Sequence, residues 1–355
     1  MRSPALRAFL CCALVAAVPF AAGCGGSSSP SEAPSSEARS QPAPPRSDFP
    51  SARGKTLAEV LEGAAPSKLV VSPAAEVFNI GENRYPFGVF QRDRTQVSDA
   101  RVALYFAKVP AGAGSGELSA GGKAAATAEK RALDEPAVGP FPAAIESLRT
   151  EPAYRAKTTT SDPDAANVVY VTHIDFPSDG EWRIAAVVDE EGKLSTTLLP
   201  SAVVGAYKRV PRVGQKAPFI HTPTAADVNG HLSKITTRIP PDTQNEVDYA
   251  EVLGKKPIVL LFATPQFCQS RVCGPVVDVA EQLKHRYGKK AAFIHMEIYN
   301  DNDPSKNVRP QVKAFHLPSE PWLFAIGADG RIESTIDGAF GVPELTRVVR
   351  KLVGE

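Results

Sequence analysis

The stretch LLFATPQFCQSRVCGPVVDVAEQL, running from Leu260 to Leu283, holds Cys268 and Cys273 with four residues between them. An apolar run precedes the pair and a helical pattern follows it. Val276, Val279, Ala280, Leu283 and Tyr287 repeat at the spacing of one helix face. A pair so placed can be a redox dithiol, a peroxidase centre, a metal clamp or a staple. In one continuous helix, residues five apart are separated by about 7.5 Å of rise and rotated by roughly 140°, outside disulfide reach. Joining the sulfurs therefore requires Cys268 to lie in the loop, or the first turn to unwind. Gly274 and Pro275 favour a late helix start.

The other three cysteines are Cys11, Cys12 and Cys24. In MRSPALRAFLCCALVAAVPFAAGC, Arg2 and Arg7 give a positive start and Ala8 to Phe20 give an apolar run. That run is shorter than the roughly 20 residues of a membrane span and suits a signal-peptide core. AAGC followed by GGSSS resembles the lipobox of bacterial lipoproteins, with Ala21 where leucine is usual. The resemblance implies a signal peptide over residues 1–23, lipid on Cys24, and a membrane-anchored protein on the extracytoplasmic side of a bacterial cell envelope. Two acyl chains hold a protein at a bilayer because each buried methylene contributes about 0.8 kcal/mol. The other reading is ordinary secretion, with Cys24 left as a free thiol. With Cys24 lipidated, Cys268 and Cys273 are the thiols left to react, and outside the cytoplasm such a pair is a candidate disulfide or dithiol.

Forty basic residues stand against 39 acidic ones, and no basic run interleaved with aromatic residues occurs, so nucleic-acid binding has no support. The Ser/Pro/Ala/Glu-rich GGSSSPSEAPSSEARSQPAPPRS reads as part of a disordered tether over residues 24–65. Short runs such as YPFGVF, ARVALYFAK, NVVYVTHIDF and EWRIAAVV alternate apolar and polar residues between turn formers. They suggest a β-sandwich over residues 66–210, resembling an immunoglobulin-like module, with a mobile insertion over about 110–152. PSDGEW and DEEGKL read as hairpin turns. His173 reads as a strand residue and Trp182 as a core anchor.

From residue 211 the character changes. RVGQKAPFIHTP resembles the entry segment of redoxins, and the elements that follow alternate as β-α-β-α-β-β-α. That order, with the cysteines between the first strand and first helix, resembles a thioredoxin-like α/β fold over residues 211–355. In this two-domain chain, Pro275 stands where the family has its helix-bending proline. Pro321, in SEPWLF, stands where the family has a cis-proline beside its dithiol. The chain departs from the pattern in three ways. Four residues separate the cysteines instead of two, Phe267 replaces the tryptophan before the first, and Leu260 falls near the buried acid of thioredoxin itself. Two registers remain open for the attacking thiol. Counting back from Pro275 favours Cys268 and keeps a two-cysteine couple, whereas CGP alone would make it Cys273.

The resemblance implies a membrane-anchored thiol–disulfide oxidoreductase needing no cofactor, exchanging with protein thiols or disulfides or with another redox protein. A helix N-terminus and Arg271 would stabilise a thiolate, while Glu320 would oppose it unless Arg271 pairs with it. Other readings are a degenerate binding lipoprotein with a structural disulfide, a peroxiredoxin-like peroxidase, and a Sco-like metal chaperone. The peroxidase would place Thr or Ser where Pro265 stands. The chaperone would use His295 or His316 beside the cysteines.

Overall fold

The computed structural model describes residues 38–110, 130–190 and 192–355. The expected signal peptide, Cys24 and residues 111–129 of the expected insertion lie outside the described residues. Among the described residues no helix is long and apolar enough to cross a membrane.

Among the described residues nine strands come first: β1 (Ala65–Pro66), β2 (Val70–Pro73), β3 (Gly81–Phe90), β4 (Arg101–Lys108), β5 (Val138–Pro142), β6 (Ala144–Ser147), β7 (Val168–Phe176), β8 (Gly180–Glu190) and β9 (Lys193–Val204). They form two sheets, in the orders β1-β9-β8-β4-β5 and β2-β3-β7-β6. Alternation decides which faces meet. Val102, Leu104 and Phe106 of β4 share one core with Tyr85, Phe87 and Val89 of β3. Phe106 packs edge-on against Tyr85 and Phe176, at centroid distances of 5.7 and 5.4 Å. Trp182 is buried in the same core and His173 is exposed on β7.

The structure corrects three expectations here. Residues 38–65 are not a free tether, because part of this segment packs on the five-stranded sheet. The five-stranded sheet presents Ala103, Tyr105, Ala107, Ala185 and Val187 on its outer face, and Phe49, Ala52, Leu57 and Val60 cover them. The short helix Leu57–Leu61 is fixed by a capping box between Thr56 and Glu59. Likewise, the part of the insertion from residue 138 supplies β5 and β6, which pair with β4 and β7 in different sheets. PSDGEW is no hairpin turn either: β7 pairs with β3 and β6, whereas β8 pairs with β4 and β9. That corner between sheets is held by the Trp182 indole, which donates to the Ser178 carbonyl at 3.1 Å, and by Lys108 on the Asp179 carbonyl.

The third sheet contains β10 (Ile258–Phe262), β11 (Ala292–Met296), β12 (Trp322–Ile326) and β13 (Ile332–Asp337), in the order β11-β10-β12-β13. β10 runs parallel to β11 and antiparallel to β12. Its IVLLF run is buried on both sides, as a central strand under helices requires. Val259 and Leu261 face the helices Cys273–Tyr287 and Val342–Leu352, while Ile258, Leu260 and Phe262 face Val312 and Phe315. This is the thioredoxin-like arrangement of strands and helices.

The sandwich and the third sheet do not meet through a loose linker, and residues 38–355 form one compact unit. Leu148, Ala166, Val169 and Val171 join the core of the long helix. Arg84 pairs with Glu344 at 2.7 Å and donates to the carbonyls of Asp337 and Ala339. Asp337 in turn accepts from the Glu76 and Val77 amides, both at 3.1 Å. Gly338 makes this approach possible: its φ is +85°, and a Cβ there would lie 2.3 Å from the Ala74 carbonyl oxygen. Gly338→Ala should therefore destabilise the protein by about 1–3 kcal/mol, since neither backbone can yield cheaply. Urea denaturation checks this, and wild-type stability would contradict the tight junction.

Candidate active site

The long helix begins at Cys273, which leaves Cys268 in the preceding loop. Arg271 adopts φ +59°, and its amide donates to the Cys268 carbonyl at 3.3 Å. This turn folds Cys268 back over the helix start, so five-residue spacing does not keep the sulfurs apart. Both cysteines are free and buried, Cys268 at 6% exposure and Cys273 at 0%.

Their environments differ sharply. The Cys268 thiol is lowered to about 6, chiefly because the Cys273 thiol donates a hydrogen bond to it, although burial pulls the other way. The Ser270 hydroxyl, 3.2 Å away, and the backbone amides of Cys273 and Val272 add to the stabilisation. A thiolate at a helix start, with donors converging on it, is the arrangement that makes a cysteine nucleophilic. Cys273 is pushed well above its ordinary value, first by burial and then by the neighbouring Cys268.

The Glu320–Pro321 peptide is cis. Glu320 is pushed up to about 7, first by burial and then by the Cys268 charge, with Glu76 and Glu297 adding to it. The sequence left open whether Arg271 pairs with Glu320, and among the described residues its ion pair is with another carboxylate. Arg271 binds Asp162 at 2.8 Å, and its carbonyl accepts from the Ala166 amide at 3.1 Å. The segment before β7 thus holds both ends of Arg271.

A buried polar layer beneath the loop escaped the sequence reading. Glu297, fully buried after β11, accepts from the Thr237 and Ile298 amides at 2.9 and 3.1 Å, and from the Thr237 hydroxyl. Thr237 accepts through that hydroxyl from the Gln266 amide at 3.2 Å, tying the carboxylate to the loop that carries Cys268. Period two could have found it: Ile294, Met296 and Ile298 share one apolar face, which puts His295 and Glu297 together on the other.

Of the histidine candidates, His295 is buried with Nδ1 2.9 Å from Asp242 and Nε2 3.1 Å from the Ala263 carbonyl oxygen. His316 is exposed. No group of three or more His, Cys, Asp or Glu among the described residues is placed to hold a metal ion.

No family model matches the chain, and no curated protein matches it. Among solved structures, it is similar to a candidate thiol:disulfide interchange protein DsbE from Chlorobium tepidum. That likeness has 14% identity and a TM-score of 0.30, over 41% of this chain and 99% of the other. A thiol:disulfide interchange protein of the thioredoxin family from Chlorobium tepidum TLS shows 16% identity and a TM-score of 0.29, over 40% of this chain and 98% of the other. The thioredoxin-like arrangement of this chain rests on its own strand order, helix placement and dithiol position.

Thiolate absorbance near 240 nm reads the coupling of Cys268 to Glu320. Two groups of similar pKa that sense each other titrate in shared steps. Wild type should give a broad profile spanning about 6 to 7, and Glu320→Gln a single step centred no higher than about 6. An unchanged profile would show the carboxyl uncoupled from the thiol.

Proposed function

We propose that this chain is a thiol–disulfide oxidoreductase in which Cys268 attacks and Cys273 resolves. The observation that carries the reading is the inequality of the two thiols, one stabilised as thiolate at a helix start and one buried as thiol beneath it. The Cys268 thiolate attacks a partner disulfide, forming a mixed disulfide and releasing one partner thiolate. Losing the Cys268 charge removes one cause that holds the Cys273 pKa up. Glu320, charge-coupled to both sulfurs, takes the Cys273 proton. The Cys273 thiolate then attacks the Cys268 sulfur, closing the protein disulfide and releasing the second partner thiolate. Two electrons pass from the protein dithiol to the partner, and the reverse sequence oxidises a dithiol.

The basic start, apolar core and AAGC of the first 24 residues support an extracytoplasmic lipoprotein anchored through Cys24. The β-sandwich, immunoglobulin-like in its strand pattern, sits beside the dithiol in this reading and is more than a spacer.

Cys273→Ser should trap the mixed disulfide with a model disulfide, visible as a mass increase that dithiothreitol removes. Cys268→Ser should form none. Adduct formation by the Cys268→Ser protein with none by Cys273→Ser would reverse the two roles.

A further inference from the structure

Three sets of contacts hold the sandwich beside the dithiol loop. On one side, Asp162 and Ala166 grip Arg271. On the other, Ala74 closes on Gly338, and the Glu76 and Val77 amides bind Asp337. Gly338 donates to the Pro321 carbonyl at 2.9 Å, so this contact abuts the turn that carries Glu320. Two cavities among the described residues border the loop that carries Cys268. One of about 640 Å³ lies between Ser72–Glu76 and Tyr207 of the sandwich side and Ser270, Ser319 and Glu320. The other, of about 430 Å³, lies between Phe87 and Phe90 and the loop residues 269–272. Both are lined by Ser72, Pro73, Ala74 and Ser270, so they meet over the residue whose hydroxyl touches Cys268.

We infer that the sandwich is a size filter and that the substrate of this dithiol is a low-molecular-weight disulfide rather than a folded protein. The inference rests on the exchange reaction proposed above and names its substrate class. Cavities of this size hold small molecules, whose clefts run from about 300 to 1,000 Å³. A disulfide on a folded domain would have to bring its own backbone to Cys268 through the space held by Ser72–Glu76 and Asp162–Ala166. A small disulfide can enter either cavity as far as Ser270, whose hydroxyl lies 3.2 Å from the Cys268 sulfur, and has only that side chain to pass. The chemistry is unchanged: the small disulfide is reduced to two thiols while Cys268 and Cys273 are oxidised to the bridge.

The test has two arms, one of which needs no turnover. In the first, the reduced protein meets glutathione disulfide or insulin, and oxidation of the pair is followed by alkylation and mass spectrometry. Glutathione disulfide should oxidise it and insulin should do so at least about a hundredfold more slowly, since insulin reaches Cys268 only in openings that part the two layers. Insulin reacting as readily as glutathione disulfide would overturn the filter while leaving the oxidoreductase reading intact. Reaction with neither would defeat that reading and with it the substrate class. The second arm still decides the cover: each rate is scaled to that with a free thiol, and a polyethylene-glycol maleimide should label Cys268 far more slowly than iodoacetamide. Equal scaled rates would overturn the cover. Arg84→Ala, or the milder Glu344→Gln, loosens the clamp away from the sulfurs. Either should speed bulky labelling by about tenfold and leave iodoacetamide labelling unchanged, because opening frequency and not thiolate chemistry is altered. Bulky labelling unmoved by both variants would show that this clamp does not set access.

Discussion

A buried thiolate needs donors, and that requirement organises this molecule. Taking an anion out of water costs several kcal/mol unless hydrogen bonds replace the lost solvation. Here they come from the Cys273 thiol, the Ser270 hydroxyl and the backbone amides of Val272 and Cys273 where the long helix begins. All of these converge only if the helix starts at Cys273 and the chain turns back at Arg271. Had the helix run on through Cys268, the two sulfurs would lie on different faces and outside bonding distance. Helix start, left-handed Arg271 and unequal thiols are thus consequences of one geometry.

The fold supplies that geometry from both sides. Beneath the loop, β10 ends at Phe262, Thr264 supports Cys273 through its amide, and buried Glu297 holds the loop through Thr237 and Gln266. Above it, the sandwich fixes Arg271 by a side-chain ion pair and a backbone hydrogen bond. An exposed ion pair such as Arg271–Asp162 is worth little by itself, about 0–1 kcal/mol. Its role here is positional, since it ties the loop to a body that also shares the core of the long helix through Val169 and Val171.

What could be read from sequence was what repeats locally. IVLLF is a five-residue apolar run, and the stripe from Val276 to Tyr287 repeats at helical spacing. The third sheet and its helices follow from such patterns. Pairings across long separations were not legible. Asp162 lies 109 residues from Arg271, and nothing in either neighbourhood marks the pair. Composition also misled. Residues 38–65 continue a Pro- and Ser-rich stretch, but the apolar Phe49, Leu57 and Val60 meet a sheet face that needs cover. PSDGEW has the residues of a hairpin turn, yet both flanking strands find better partners elsewhere.

The central claim is that Cys268 and Cys273 are a working exchange couple, and their midpoint potential tests it most directly. The pair would be equilibrated in glutathione buffers of graded ratio, quenched with an alkylating agent and counted by mass. A couple whose thiolate is stabilised as described should balance between about −120 and −270 mV, among exchange proteins. A bridge still closed below about −300 mV, or two thiols that never join, would contradict the account.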